Sequence, residues 1–109
     1  MSELDELRQW FAENGELTEG QFWSYWPAAV VPELRTKCCA IETHLKAQHT
    51  QSPGLTHIEE QIPDWCEGLE MKSGLHLEVR FWIVHRFDET GQLSSITFDR
   101  RICGGGHPS

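Results

Sequence analysis

The sequence predicts an α+β fold: three N-terminal helices packed on a curved, mainly antiparallel sheet. Two observations carry that expectation. Apolar residues recur at helical spacing up to about His49, and after Gly54 the period changes to two. Turn chemistry at Ser52-Pro53-Gly54, Ser73-Gly74 and Asp88–Gly91 divides the second half into consecutive strands, the order expected of a meander.

The elements follow in order. Ser2 can cap a first helix whose apolar positions are Leu4, Leu7, Trp10 and Phe11 and which closes at Gly15. Thr18-Glu19-Gly20-Gln21 has the form of a capping box, so a second helix starts there and carries Phe22, Trp23, Tyr25 and Trp26. Pro27 stops it, because proline cannot continue the hydrogen-bond ladder. Ala28–Val31 is partly β-branched and reads as a small strand. Pro32 introduces a longer helix on which Leu34, Cys38, Ile41 and Leu45 form one face. The stretch LTHIEEQI then reads as a strand with Ile58, Glu60 and Ile62 on one side, and Pro63 ends it or marks a bulge. Residues 65–71 form a further strand, 75–87 the longest one, and 92–102 the last, joined by a hairpin that closes at Gly91. Residues 1–103 make a single domain, and residues 104–109 are expected to be a flexible tail.

The 109 residues suffice for one core. The net charge of −8 argues against nucleic acid, which needs clustered lysine and arginine. That acidity reads as solubility, or alternatively as an acidic inhibitor of a basic protein partner. No apolar run reaches the ~20 residues of a membrane span, so no membrane is expected as partner and the expected location is cytoplasmic. The four cysteines, Cys38, Cys39, Cys66 and Cys103, lack CxxC spacing. Reduced structural thiols are expected, with a Cys66–Cys103 bridge as the alternative, and no metal or cofactor site.

Strand alternation places Leu77, Val79, Phe81, Ile83, His85 and Phe87 on one face, and Ile96, Phe98, Arg100 and Ile102 on the matching face of the next strand. One apolar face therefore also holds His85, Arg100 and, by parity, Glu60. Buried ionisable groups need partners or a wet cavity. An apolar pocket with a few convergent polar groups is the usual form of a small-ligand site. His85 is the candidate proton-transfer residue, since histidine titrates near neutral pH, with Glu60 or His44 as its orienting partner. Arg100 is the candidate anchor for a substrate anion. His44, Phe81, Ile83, Phe98, Trp23 and Trp26 are the candidate walls. The structural alternatives are a hydrogen-bonded rim position for His85 and a solvent-facing Arg100.

Three stretches carry a family likeness: ENGELTEGQFWSYWPAAVV, ELRTKCCAIETHL and HRFDETGQLSSITF. In their order and spacing the chain resembles the nuclear transport factor 2-like superfamily, which includes ketosteroid isomerases and SnoaL-like polyketide cyclases. The resemblance implies a cystatin-like α+β cone with a deep pocket, and a homodimer through the outer sheet face, here Trp82, Val84 and Thr97. The isomerases' oxyanion-hole tyrosine falls near Arg8 and their strand aspartate falls on Ile83. The loop that bears their base is shortened around Val31-Pro32-Glu33. Steroid isomerisation is therefore not expected. The expectation is a protein that binds an apolar or aromatic small molecule. If it is an enzyme, it performs cofactor-independent acid–base chemistry of the isomerase, cyclase, lyase or hydrolase kind. The alternative is a non-catalytic dimeric interaction module.

Overall fold

The structure is a computed structural model that describes residues 3–72, 74 and 76–106. Its elements are α1 (Glu3–Asn14), β1 (Glu16–Leu17), α2 (Glu19–Tyr25), α3 (Val31–Gln51), β2 (His57–Glu70), β3 (His76–Phe87) and β4 (Leu93–Gly106). The strands form one four-stranded antiparallel sheet in the order β1-β4-β3-β2, with the three helices packed against it. This is the α+β architecture that the change of period predicts.

Local chemistry sets most boundaries. The Thr18 side chain accepts a hydrogen bond from the Gln21 N–H, and Gln21 returns one to the Thr18 N–H, so the capping box is complete. Gly91 closes the β3–β4 hairpin at φ +83°, a conformation that glycine adopts without a Cβ penalty. The Ser2 cap and residues 107–109 lie outside the described residues.

Three expectations change. Ala28–Val30 is a turn rather than a strand, and α3 already begins at Val31 with Pro32 in its first turn. Proline pre-sets φ there and lacks only an N–H that the first turn leaves unpaired, so it outweighs the β-branched pair before it. The stretches expected as two strands before Ser73 are one strand, β2, whose register with β3 shifts between Gln61 and Cys66, around the proline expected to mark a bulge. The last strand continues to Gly106, with Gly105 opposite Leu77 and Gly106 opposite His76, so residues 104–106 are strand rather than tail. Cys66 lies on β2 and Cys103 on β4, on opposite sides of β3, so the two are not on neighbouring strands, and Cys66 is a free thiol.

The core lies between α2, α3 and the inner sheet face. Phe22 stacks on Phe98 at 3.8 Å, and Phe81, Ile83, Leu34, Cys38, Ile41, Leu45, Ile58 and Ile62 complete it. Burying each large apolar side chain is worth about 1.5–3 kcal/mol, so this cluster dominates the folding energy. Strands of 14 residues set the long dimension of a molecule 47 × 35 × 24 Å in extent. The 21 residues of α3 span only ~31 Å and pack on β2 and β3, so the far end of the sheet depends on α1 for cover.

The outer face is polar. Arg101 bridges Glu59 and Asp99 while lying 4.7 Å from the Trp82 ring, and Arg86 donates to Glu16 and Thr97. Val84, beneath these groups, is 1% exposed. Hydrogen bonds and ion pairs to Arg101 outweigh burial and hold the Glu59 carboxyl below its ordinary range.

Candidate functional site

Helix α1 is held to the sheet by an unusually close backbone approach. The Gly15 N–H donates to Phe11 O at 2.7 Å, and Gly15 O accepts from the Arg100 N–H at 3.0 Å. A Cβ at Gly15 would lie 2.4 Å from Phe11 O and 2.7 Å from Arg100 O, so only glycine fits. From there α1 runs over β4 and buries Leu4, Leu7 and Phe11 only partly, leaving Trp10 47% exposed.

Beneath α1 lies a cleft of about 380 Å³ lined by Leu7, Trp10, Phe11, Tyr25, Glu67, Leu69 and Arg100. Its walls come from one face of α1, the end of α2 and the inner faces of β2 and β4. Three polar side chains converge in it. The Tyr25 hydroxyl lies in the field of the Glu67 carboxylate, which favours the protonated phenol. Burial, then that carboxylate, push the Tyr25 hydroxyl up to about 12, against a smaller opposing pull from Arg100, so it remains a neutral donor. Arg100 donates from Nη2 to Asn14 O at 2.6 Å and from Nε to Gly15 O at 3.4 Å. Its guanidinium lies 5.5 Å from the Trp10 ring and 5.6 Å from Phe11. The arrangement can hold an apolar body against aromatic rings and offer hydrogen bonds at one end.

The sequence candidates distribute as follows. Arg100 faces inward and lines the cleft. His85 is 0% exposed, between Ile58 of β2 and Ile96 of β4, with the Phe87 ring 6.4 Å away. Neither ring nitrogen has a protein partner among the described residues, and the ring does not line the cleft beneath α1. Burial, with Lys46 adding to it, lowers its pKa and keeps it neutral. It is thus a core residue rather than a hydrogen-bonded rim residue. His44 and Glu60 meet each other, Nδ1 to Oε2 at 3.7 Å, in a separate surface groove of about 410 Å³ beside Ile41 and Pro63. The structure records no hydrogen bond or ion pair from either to His85. Phe81, Ile83, Phe98 and Trp26 belong to the packed aromatic interior. Trp23 packs on that core and lines a recess of about 240 Å³ with Arg35, Cys38 and Glu42. Burial pushes the Cys38 thiol up to about 12, which makes it unreactive.

Leu7, Trp10, Phe11, Tyr25, Glu67 and Leu69 were not anticipated as site residues. Parity could have found the last two, but the register shift within β2 moves the inward positions from even numbers (Ile58, Glu60, Ile62) to odd ones (Glu67, Leu69). Comparison of the chain with family models, with curated proteins and with solved structures returned no match.

Proposed function

We propose that the protein binds a small apolar or aromatic molecule non-covalently in the cleft beneath α1. The supporting observation is the convergence of Tyr25, Glu67 and Arg100 at one side of a recess otherwise walled by Leu7, Trp10, Phe11 and Leu69. A ring placed against Trp10 and Leu69 leaves water, and a hydroxyl or carbonyl on it exchanges hydrogen bonds with the polar trio. This reading keeps the ligand class that the resemblance to the nuclear transport factor 2-like superfamily implies, but moves the site. The interior beneath α2 and α3 is filled by the protein's own aromatics. Proton transfer through His85 gains no support, because its ring is enclosed away from the cleft.

The test is a fluorescence titration with 2-naphthol, run on the wild type and on Leu69→Lys. The wild type should bind saturably. The variant, with a solvated ammonium in the wall, should bind about tenfold more weakly at unchanged circular dichroism. Equal affinity in the two proteins would refute the proposal.

The second reading is a homodimer through the outer sheet face. Val84 is already covered and Trp82 is roofed by Arg101, so such a contact would be made by Glu16, Glu59, Arg86 and Arg101. It would weaken with added salt, which light scattering can follow.

A further inference from the structure

The chain carries nine lysines and arginines against a net charge of −8. Three of the nine, Arg8, Arg100 and Arg101, line one recess of about 350 Å³. It lies on the other flank of α1: positions 8, 11 and 12 face it, whereas 7, 10 and 11 face the apolar cleft. Phe11, Ala12 and Ile102 give it an apolar wall, and Asp99 is its one acidic lining residue.

The charges there do not cancel. Asp99 and Glu59 are both committed to Arg101. Arg100 donates its hydrogen bonds to the neutral carbonyls of Asn14 and Gly15, which fix the guanidinium without neutralising it. Among the described residues, no ion pair is recorded for Arg8 or Arg100. Three guanidinium groups thus line the recess against one lining carboxylate, Asp99, which is committed to Arg101.

We propose that this recess binds a small organic monocarboxylate. A carboxylate matches the planar guanidinium fork. A doubly charged phosphate would meet the negative field of the whole chain more strongly than a singly charged carboxylate. The volume leaves room beyond the carboxylate for a ring-sized apolar body on Phe11, Ala12 and Ile102. This goes beyond the reading of the apolar cleft, since it concerns a recess on the other flank of α1 that shares only Phe11 and Arg100 with it.

The experiment is an NMR titration of the full chain at fixed ionic strength, observing arginine Nε–H and isoleucine methyl signals. Benzoate, its neutral counterpart benzyl alcohol and inorganic phosphate are added separately. Benzoate should give saturable shifts at Arg8, Arg100, Arg101 and Ile102. Benzyl alcohol should leave the arginines unmoved, and phosphate should bind about tenfold more weakly. Arg8→Gln removes an exposed charge and should weaken benzoate by a similar factor; Ala12→Glu, which adds a carboxylate at the rim, should do the same. The proposal is overturned if benzoate shows no saturable shift, if benzyl alcohol moves the same arginines, if phosphate binds as tightly, or if Arg8→Gln binds benzoate like the wild type. The 2-naphthol titration reads Leu7 and Leu69, so failure of one site is distinguishable from failure of the other.

Discussion

Replacing His85 by leucine tests the account of the core. The imidazole is 0% exposed and neither nitrogen has a protein partner among the described residues. An unsatisfied buried polar group costs about 1–3 kcal/mol, whereas a near-isosteric apolar swap costs under about 1.5 kcal/mol in repacking. At about pH 8, where the unfolded-state imidazole is also neutral, His85→Leu should therefore be as stable as the wild type or about 1 kcal/mol more stable. Acid adds a second signature. Burial lowers the folded-state pKa below the ordinary 6.5, so the unfolded chain binds more protons in that window. The stability associated with neutral His85 is complete above 6.5 and is lost as pH falls toward the depressed folded value. The slope it adds cannot exceed about 1.4 kcal/mol per pH unit. Urea unfolding midpoints of both proteins, from about pH 8 down to about pH 5, isolate this contribution as the difference between two curves. His44, His49, His57 and His76 are common to both. A loss above about 2 kcal/mol in the variant at the higher pH would mean that the imidazole makes a stabilising hydrogen bond. An unchanged acid slope would mean that His85 is not held neutral. Either result refutes the reasoning.

Other consequences follow from the same geometry. The chain has one tyrosine, so ultraviolet absorbance reads Tyr25 alone, and its phenol should ionise near 12 while circular dichroism remains native. Glu67→Gln should bring that midpoint down. Gly15→Ala forces a Cβ into two backbone carbonyls and should cost about 1–3 kcal/mol by chemical denaturation, with enhanced amide exchange in α1. Phe22→Ala empties the stack on Phe98 and should cost about 3–5 kcal/mol, a large fraction of a typical domain's stability. Thr18→Ala removes the α2 cap and should cost about 1 kcal/mol.

What was legible in the sequence is what depends on near neighbours. The Thr18–Gln21 box, the stripe Leu34-Cys38-Ile41-Leu45 and the turn at Gly91 are local chemistry, and each lies where its pattern puts it. The inward parity of β3 and β4 was equally readable, and it placed Arg100 on the inner face. What escaped depends on distant partners. The two residues of β1 are a strand only because Glu16 and Leu17 pair with Asp99 and Phe98. Ala28–Val31 has strand composition but pairs with none of the described strands, and Pro32 recruits Val31 into a helix. Glu67 was hidden by the phase change within β2, and with it the Tyr25–Glu67 contact that marks the cleft. His85 stood out as a polar residue on an apolar face, a pattern that does not say whether the face is open or packed shut.

The most direct test of the central claim is a map of where an apolar probe binds. In an NMR titration of the wild-type chain with 2-naphthol, the account predicts saturable shifts clustered at Leu7, the Trp10 indole, Tyr25 and Leu69. Shifts centred on His85 or on the His44–Glu60 groove, or no saturable shift at the probe's solubility limit, would contradict it.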